Sequence, residues 1–297
     1  MRTENEKLLL VSGCPRSGTT LINFLLNSHP EIAISNEVDL VHLAGGLRRV
    51  LFSKSEKFKK NTISRKRSDV ESWGLSDFEE YIPADYSLLP KIIRLLCLSV
   101  KMGGHASIYG DKTPIYYMYD PDLLAQLSPG GTVSVIHITR NPSGVIRSVL
   151  RRTANSLKGS DYWRSVVTKS DGISHWIKAW NARSKFHRHS GIRFLDLNYD
   201  ALLQDPDTAC EIIAGFLEIA DDFDRGLINS SSASGKPVAP IDFEGLEALN
   251  NLALKWEEMP LDLSHHLGEL PLPRKSFWNK VRRKSIRTVI KIRRDMK

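Results

Sequence analysis

A short apolar run at residues 8–12 (LLLVS) stops at Gly13-Cys14-Pro15-Arg16-Ser17-Gly18-Thr19-Thr20. Leu21, Phe24, Leu25 and Leu26 then follow at helical spacing over residues 19–27. The order is strand, glycine-bearing loop, helix. Such a loop turns several backbone N–H groups toward one point, and the helix N-terminus adds positive potential there, so the site suits an anionic phosphate. The hydroxyls of Ser17, Thr19 and Thr20 are expected to add donors. A loop built for ATP reads GxxxxGK[ST]. Here the glycines and Thr20 fit, but Thr19 stands at the lysine position and the cation lies three residues earlier, at Arg16. The lysine that reaches the terminal phosphates of ATP is therefore missing. A tight turn with no ligand is the alternative; the placement between strand and helix favours phosphate.

The remaining pattern alternates strands and helices. Residues 32–34 and 107–109 read as short strands, the second ending in a turn at Gly110-Asp111-Lys112-Thr113-Pro114. Residues 132–139 (TVSVIHIT) are rich in β-branched side chains and predict a strand. A helix over 142–152 follows, with Pro142 in its first turn, where a missing N–H costs little. Residues 171–189 predict a helix with Ile173, Trp176, Ile177 and Trp180 on one face. A strand at 192–197 and a helix at 205–217, with Asp205 as N-cap and Pro206 behind it, complete the series. Residues 88–100 are apolar and long enough for a buried helix. Alternation of this kind predicts an α/β fold: a central parallel sheet with helices on both faces, a P-loop-like three-layer sandwich.

Arg140 falls at the carboxyl end of the 132–139 strand, where ligands bind in open α/β sheets. An arginine there can hold a phosphate bidentately. Ser148, two helical turns on, meets the same phosphate if the ligand lies along the helix. Taken singly, Arg140 reads equally as a salt bridge and Ser148 as a surface serine. The pair, with the loop at residues 15–20, resembles the PAPS-dependent sulfotransferase family, whose members carry a 5′-phosphosulfate loop and then an arginine followed eight positions later by a serine. Residues 21–31, with Leu21, His29, Pro30 and Glu31, look particularly like protein-tyrosine sulfotransferases and related bacterial enzymes. The resemblance implies PAPS as co-substrate, PAP as product, no metal, and transfer of a sulfuryl group to an acceptor hydroxyl. It assigns cofactor binding to Pro15, Arg16, Ser17, Gly18, Thr19, Thr20, Arg140 and Ser148. It also suggests Ser232 and Lys236, from a loop that closes over the cofactor ahead of Lys255-Trp256. Asn198-Tyr199-Asp200 resembles a family segment read here as structural, with Tyr199 packing or making a capping hydrogen bond.

Sulfuryl transfer requires a base for the acceptor proton, in-line positioning, and positive charge for the leaving phosphate. Glu37 is the candidate general base, at the spacing from Arg16 where the resembling pattern has its glutamate. A carboxylate in a partly dehydrated cleft is a stronger base than one in water. The alternative is a solvated glutamate capping a helix near Val38. Arg16 and Lys112 are the candidates for stabilising the leaving group; Lys112 otherwise reads as an ion-pair partner of Asp111. His105 is a weaker alternative base, and His137 reads as buried structure. His265-His266 have no companion ligands and read as surface residues.

Charge is concentrated in two segments. Residues 48–67 hold nine Lys/Arg against one Glu, and residues 274–297 hold eleven against one Asp, while the whole chain carries +8. The rest is acidic, which argues against a nucleic-acid-binding face. The expected organisation is a catalytic domain at 1–273 with a mobile basic insert at about 48–76, and a basic tail at 274–297. That tail suits an anionic membrane surface or a solvated helix packed partly on the domain. With three cysteines in no paired spacing, no signal-like N-terminus and no membrane-length apolar stretch, the expected location is the cytoplasm, with membrane contact through the tail at most. Carbohydrate, lipid, small-metabolite and peptide hydroxyls all remain open as acceptors. The rival functions are a P-loop small-molecule kinase, opposed by Thr19 in the lysine position, and a non-catalytic nucleotide-binding module.

Overall fold

A computed structural model describes residues 7–43, 106–125, 127–128, 132–156, 169–228, 247–266 and 268–271. The basic insert, the 88–100 helix, the basic tail, His105, Ser232 and Lys236 lie outside the described residues.

Five parallel strands form one sheet in the order β2-β3-β1-β4-β5. They are β1 (Lys7–Gly13), β2 (Ile32–Asn36), β3 (Ile108–Lys112), β4 (Val133–Thr139) and β5 (Ile192–Asn198). Helices α1 (Thr19–Ser28), α2 (Pro121–Ala125), α3 (Pro142–Ser156), α4 (Lys169–Arg188), α5 (Tyr199–Gln204), α6 (Pro206–Leu217) and α7 (Glu247–Leu254) flank it, with short 3₁₀ turns at Pro114–Met118 and Trp256–Glu258. Strand alternation splits the core into two layers. Leu8 and Leu10 face a cluster with Val145, Ile146, Trp176 and Ile177 of α3 and α4. Leu9 and Val11 face one with Ile22, Leu25, Ile213 and Leu217 of α1 and α6. This is the three-layer α/β architecture expected from the sequence.

The element that departs from expectation is β3. Gly110, Asp111 and Lys112 are strand residues, not a turn, because β3 is laddered on both sides: Gly110 pairs with Leu9 and Ile34, and Lys112 with Val11 and Asn36. A Cβ on Gly110 would lie 1.6 Å from the Leu9 carbonyl oxygen, so only glycine fits. The chain leaves β3 through Pro114, not at Gly110. The local Gly-Asp turn signal gives way to tertiary pairing.

Asp205 caps α6 as expected, accepting from the Thr208 N–H. Beyond β5, the Asn198 N–H donates to the Leu261 carbonyl and the Leu263 N–H to the Asp196 carbonyl, so residues 261–263 cover the sheet edge. No helix among the described residues is long and apolar enough to cross a membrane.

His137 is buried in β4, as the sequence reading held, and burial together with the Arg183 charge pushes its pKa down to about 3. Its unfolded value is near 6.5, so acid protonates the unfolded chain before the native one. Stability from this residue is present above pH 6.5 and is lost as pH falls toward 3, by up to about 1.4 kcal/mol per pH unit. Asp196, its neighbour in the ladder, is raised to about 6 by burial and acts in the opposite direction between pH 6 and 3.8. Wild type and His137→Phe both retain the Asp196 contribution, so denaturant titrations of the two isolate the histidine. The variant is expected to lose less stability between pH 6.5 and 4, and parallel curves would refute the assignment.

Candidate active site

The carboxyl ends of β1, β3 and β4 and the N-termini of α1 and α3 meet at the point where strand order reverses, the usual ligand edge of such sheets. The loop between β1 and α1 is held by Ser17, whose N–H donates to the Cys14 carbonyl and whose buried hydroxyl faces the carbonyls of Cys14 at 2.6 Å and Ile138 at 2.9 Å. This corrects the expected role of Ser17. Its hydroxyl points inward and stitches the loop to β4, leaving the outward face to backbone and neighbours. Pro15 is half-buried, Arg16 and Thr20 are exposed, and Thr19 is buried at the head of α1. Helix α1 has neither a side-chain cap nor an acidic residue in its first turn, so its leading N–H groups are left for an anion. The Cys14 thiol is buried and raised far above its ordinary pKa by burial, which keeps it protonated and unreactive.

Gly18 has φ 105°, and a Cβ there would lie 2.1 Å from Tyr199 Cδ2. The Tyr199 ring thus packs on the loop, and the Arg140 guanidinium lies over the same ring, 4.6 Å from its centroid. Of the two roles left open for Tyr199, the structure shows packing. Gly18→Ala should displace this ring and Arg140 with it. The expected result is at least a roughly tenfold loss of 3′,5′-ADP affinity by calorimetry, with a lowered Tm, because left-handed backbone and a ring clash add. Unchanged affinity would show that the packing does not shape the site.

Arg140 sits just beyond β4, with Nε 3.8 Å from Asp200 Oδ1. That Nε is buried without a hydrogen-bond partner, the state expected of a donor kept for a ligand. Asp200 itself is committed to structure: its Oδ2 accepts from the Asn141 N–H and from Trp256 Nε1, both at 2.9 Å. Trp176 Nε1 donates to the Arg140 carbonyl at 2.8 Å. The two sequence motifs meet where Arg16 Nε donates to Ser148 Oγ at 3.1 Å, although 132 residues separate them. An uncapped helix N-terminus, a glycine turn and an arginine whose buried Nε has no hydrogen-bond partner thus lie at the same sheet edge, donors of the type that anionic groups take.

Glu37 follows β2 and Lys112 ends β3. Lys112 Nζ donates to Glu37 Oε1 at 2.7 Å; the lysine side chain is 1% exposed and the glutamate 60%. The exposure corrects the expectation of a dehydrated carboxylate, since Glu37 faces open solvent with the buried ammonium behind it. Lys112 does not pair with Asp111, as the alternative reading had it. The neighbouring Thr113 N–H donates to the Val11 carbonyl, and Ser12 Oγ to the Pro114 carbonyl, which keeps this pair beside the phosphate loop. Glu37 has φ 60° and Asp39 φ 54°. Each non-glycine residue in that region costs on the order of 1 kcal/mol, so the turn is held by its surroundings. Sequence reasoning missed three residues here. Asp111 read only as an acid beside a lysine, Asp200 only as part of a segment taken as structural, and Trp256 only as part of a loop resemblance. Among the described residues no group of three or more His, Cys, Asp and Glu could hold a metal ion, and His265 and His266 are exposed.

A family model described as "Sulfotransferase family" matches residues 9–224, from β1 past the end of α6. Protein-tyrosine sulfotransferase 2 of Gallus gallus is 24% identical over 294 residues, covering 91% of this chain and 71% of its own length. Among solved structures, the sulfotransferase domain of the Synechococcus PCC 7002 olefin synthase aligns with TM-score 0.49 and 20% identity, covering 90% of this chain and 96% of its own. A sulfotransferase from Alicyclobacillus acidocaldarius aligns with TM-score 0.48 and 14% identity, covering 92% and 99%. The family match takes in the phosphate loop, the Glu37–Lys112 strand ends and the Arg140–Ser148 segment, and on that match the chain belongs to the sulfotransferase family.

Proposed function

We propose that the protein transfers a sulfuryl group in line from PAPS to an acceptor hydroxyl, with Glu37 as general base. PAPS supplies the activated sulfuryl group and is released as PAP. The loop at residues 15–20 and the α1 N-terminus bind the 5′ side of the nucleotide. Arg140 and Ser148 bind the 3′-phosphate, a group that ATP lacks. Lys112 and Arg16 place positive charge where negative charge grows on the leaving phosphate, and Glu37 takes the proton of the attacking hydroxyl.

The observation that carries this reading is the Glu37–Lys112 contact. A carboxylate open to an incoming acceptor is backed at 2.7 Å by an ammonium sealed from water, at the sheet edge that also carries the phosphate loop. The buried, unsatisfied Arg140 Nε supports a second anion in the same groove. The acceptor remains one of four hydroxyl classes: carbohydrate, lipid, small metabolite or peptide. The catalytic domain at 1–273, the closing role of Ser232 and Lys236, contact of the basic tail with a membrane, and a cytoplasmic location stand as parts of the same proposal. Transfer of label from sulfur-35 PAPS into a whole-cell extract, followed by mass analysis of the product, tests it. A labelled, sulfated product is expected, and labelled phosphate products from γ-labelled ATP–Mg instead would favour a kinase.

A further inference from the structure

The turn that presents Glu37 is built around one buried carboxylate that the mechanism above does not use. Asp111 is 0% exposed. Its Oδ1 accepts from Ser35 Oγ at 2.6 Å and from the Val38 N–H at 3.1 Å. Its Oδ2 accepts from the Asp39 N–H at 3.2 Å and from the hydroxyls of Thr113 and Tyr116, each at 2.7 Å. Thr113 Oγ1 also accepts from the Asp39 N–H at 3.1 Å, and the Tyr116 hydroxyl from the Leu40 N–H at 3.0 Å. Three consecutive backbone N–H groups, those of Val38, Asp39 and Leu40, therefore converge on Asp111 directly or through one hydroxyl. They lie immediately after Glu37, in the stretch whose backbone is left-handed at Glu37 and Asp39. Successive N–H groups aimed at one anion form a nest, and a carboxylate is the acceptor-only side chain that satisfies it.

β3 alternation gives this a second consequence. Asp111 and Lys112 are adjacent, so their side chains leave opposite faces of the same strand. One holds the loop that carries the base, and the other holds the base's carboxylate at 2.7 Å. The Glu37 N–H donates to the Lys112 carbonyl at 2.7 Å, which joins the two attachments. The turn that follows Glu37 is thus held by Asp111, and the Glu37 N–H and carboxylate are both held by Lys112.

We infer that Asp111 is a positioning residue for sulfuryl transfer, acting through Glu37 by setting the left-handed turn on which that glutamate stands. The inference rests on the reading of Glu37 as the base. Asparagine at this position keeps the shape but turns one acceptor oxygen into a donor facing N–H groups or hydroxyls, so the turn relaxes while the strand can remain.

The test compares Asp111→Asn, Glu37→Gln and the double variant, with Tyr116→Phe as a milder probe of the same nest. Hydrogen exchange of the peptide spanning residues 36–40 reads the turn directly. Transfer from labelled PAPS into a fixed whole-cell extract reads the chemistry, and calorimetry with 3′,5′-ADP reads the nucleotide site. Asp111→Asn should lose exchange protection at Val38 and Asp39 and lower kcat by about 10-fold to 100-fold, with 3′,5′-ADP affinity kept within about twofold. In the Glu37→Gln background it should lower the residual rate no further, because the group it positions is already gone. Tyr116→Phe should follow the same pattern with a smaller loss. If Glu37→Gln is inactive but Asp111→Asn keeps wild-type kcat, or lowers the rate equally in both backgrounds, the positioning role is wrong and the base stands. Full activity in Glu37→Gln removes the base and the positioning role together.

Discussion

Replacing Glu37 by Gln is expected to lower kcat for sulfuryl transfer by roughly 10² to 10⁴, the range for loss of a general base. Gln is the informative choice because the Lys112 ammonium behind it is 1% exposed. Alanine would leave that cation buried without its acceptor, and a folding defect would mask the catalytic one. Gln retains an oxygen for the ammonium and removes only the capacity to take a proton. Lys112→Met keeps the buried volume and removes the charge. It should cost about 2.7–4 kcal/mol of transition-state stabilisation, a factor of 10² to 10³ in kcat. Glu37→Gln should bind 3′,5′-ADP with affinity close to wild type, whereas Lys112→Met should also weaken it, because the 5′-phosphate of that nucleotide carries the leaving-group charge in full. Steady-state transfer and calorimetry on the same preparations separate the two effects. Full activity in both variants would remove these residues from the chemistry while leaving the nucleotide site in place.

The second large effect is on stability. Arg183 Nη1 donates to Asp196 Oδ2 at 2.6 Å with both side chains fully buried. Asp196 also accepts from Thr139 Oγ1 at 2.7 Å. The Arg183 guanidinium lies 3.5 Å from the Trp180 ring centroid and donates to the Trp180 and His266 carbonyls. Burial lowers the Arg183 pKa and raises that of Asp196 to about 6, so burial works against both charges and each needs the other as its partner. Asp196→Asn or Arg183→Met should each cost about 3–5 kcal/mol by equilibrium denaturation, because each strands the other charge. The double variant Arg183→Met/Asp196→Leu should recover much of that loss, since an apolar pair of similar volume needs no desolvation of ions. A double variant as unstable as the sum of the singles would contradict this account. The pair ties α4, β5 and the stretch ending at His266 together, and β5 leads directly to Tyr199 and Asp200. Its loss therefore reaches the site through the scaffold.

How much of this was legible in the sequence depends on the range of the interaction. The β1–loop–α1 unit is local, and residues 8–20 were enough to anticipate it. The 142–152 helix was recognised by Pro142 and the α6 start by Asp205, because caps and first-turn prolines act within one turn. The end of β3 was misread because Gly110-Asp111 carries a local turn signal, while the pairing that overrides it comes from β1, about a hundred residues away. The Arg16–Ser148 contact and the packing of Tyr199 on Gly18 join distant segments, and no periodicity encodes them. Asp111 was visible only as an acid beside a lysine. Its donors come from Ser35, Val38 and Asp39 on the far side of the 44–105 segment, as well as from Thr113 and Tyr116 close by.

The proposed transfer needs one groove that accepts two separated phosphates, and calorimetric titration with 3′,5′-ADP, 5′-AMP and ATP–Mg tests this most directly. Wild type should bind 3′,5′-ADP at least roughly tenfold more tightly than either competitor, and Arg140→Ala should abolish that preference, since a charge-assisted bond to phosphate contributes about 1.5–3 kcal/mol. Equal affinity for 3′,5′-ADP and 5′-AMP, or tighter binding of ATP–Mg, would contradict it.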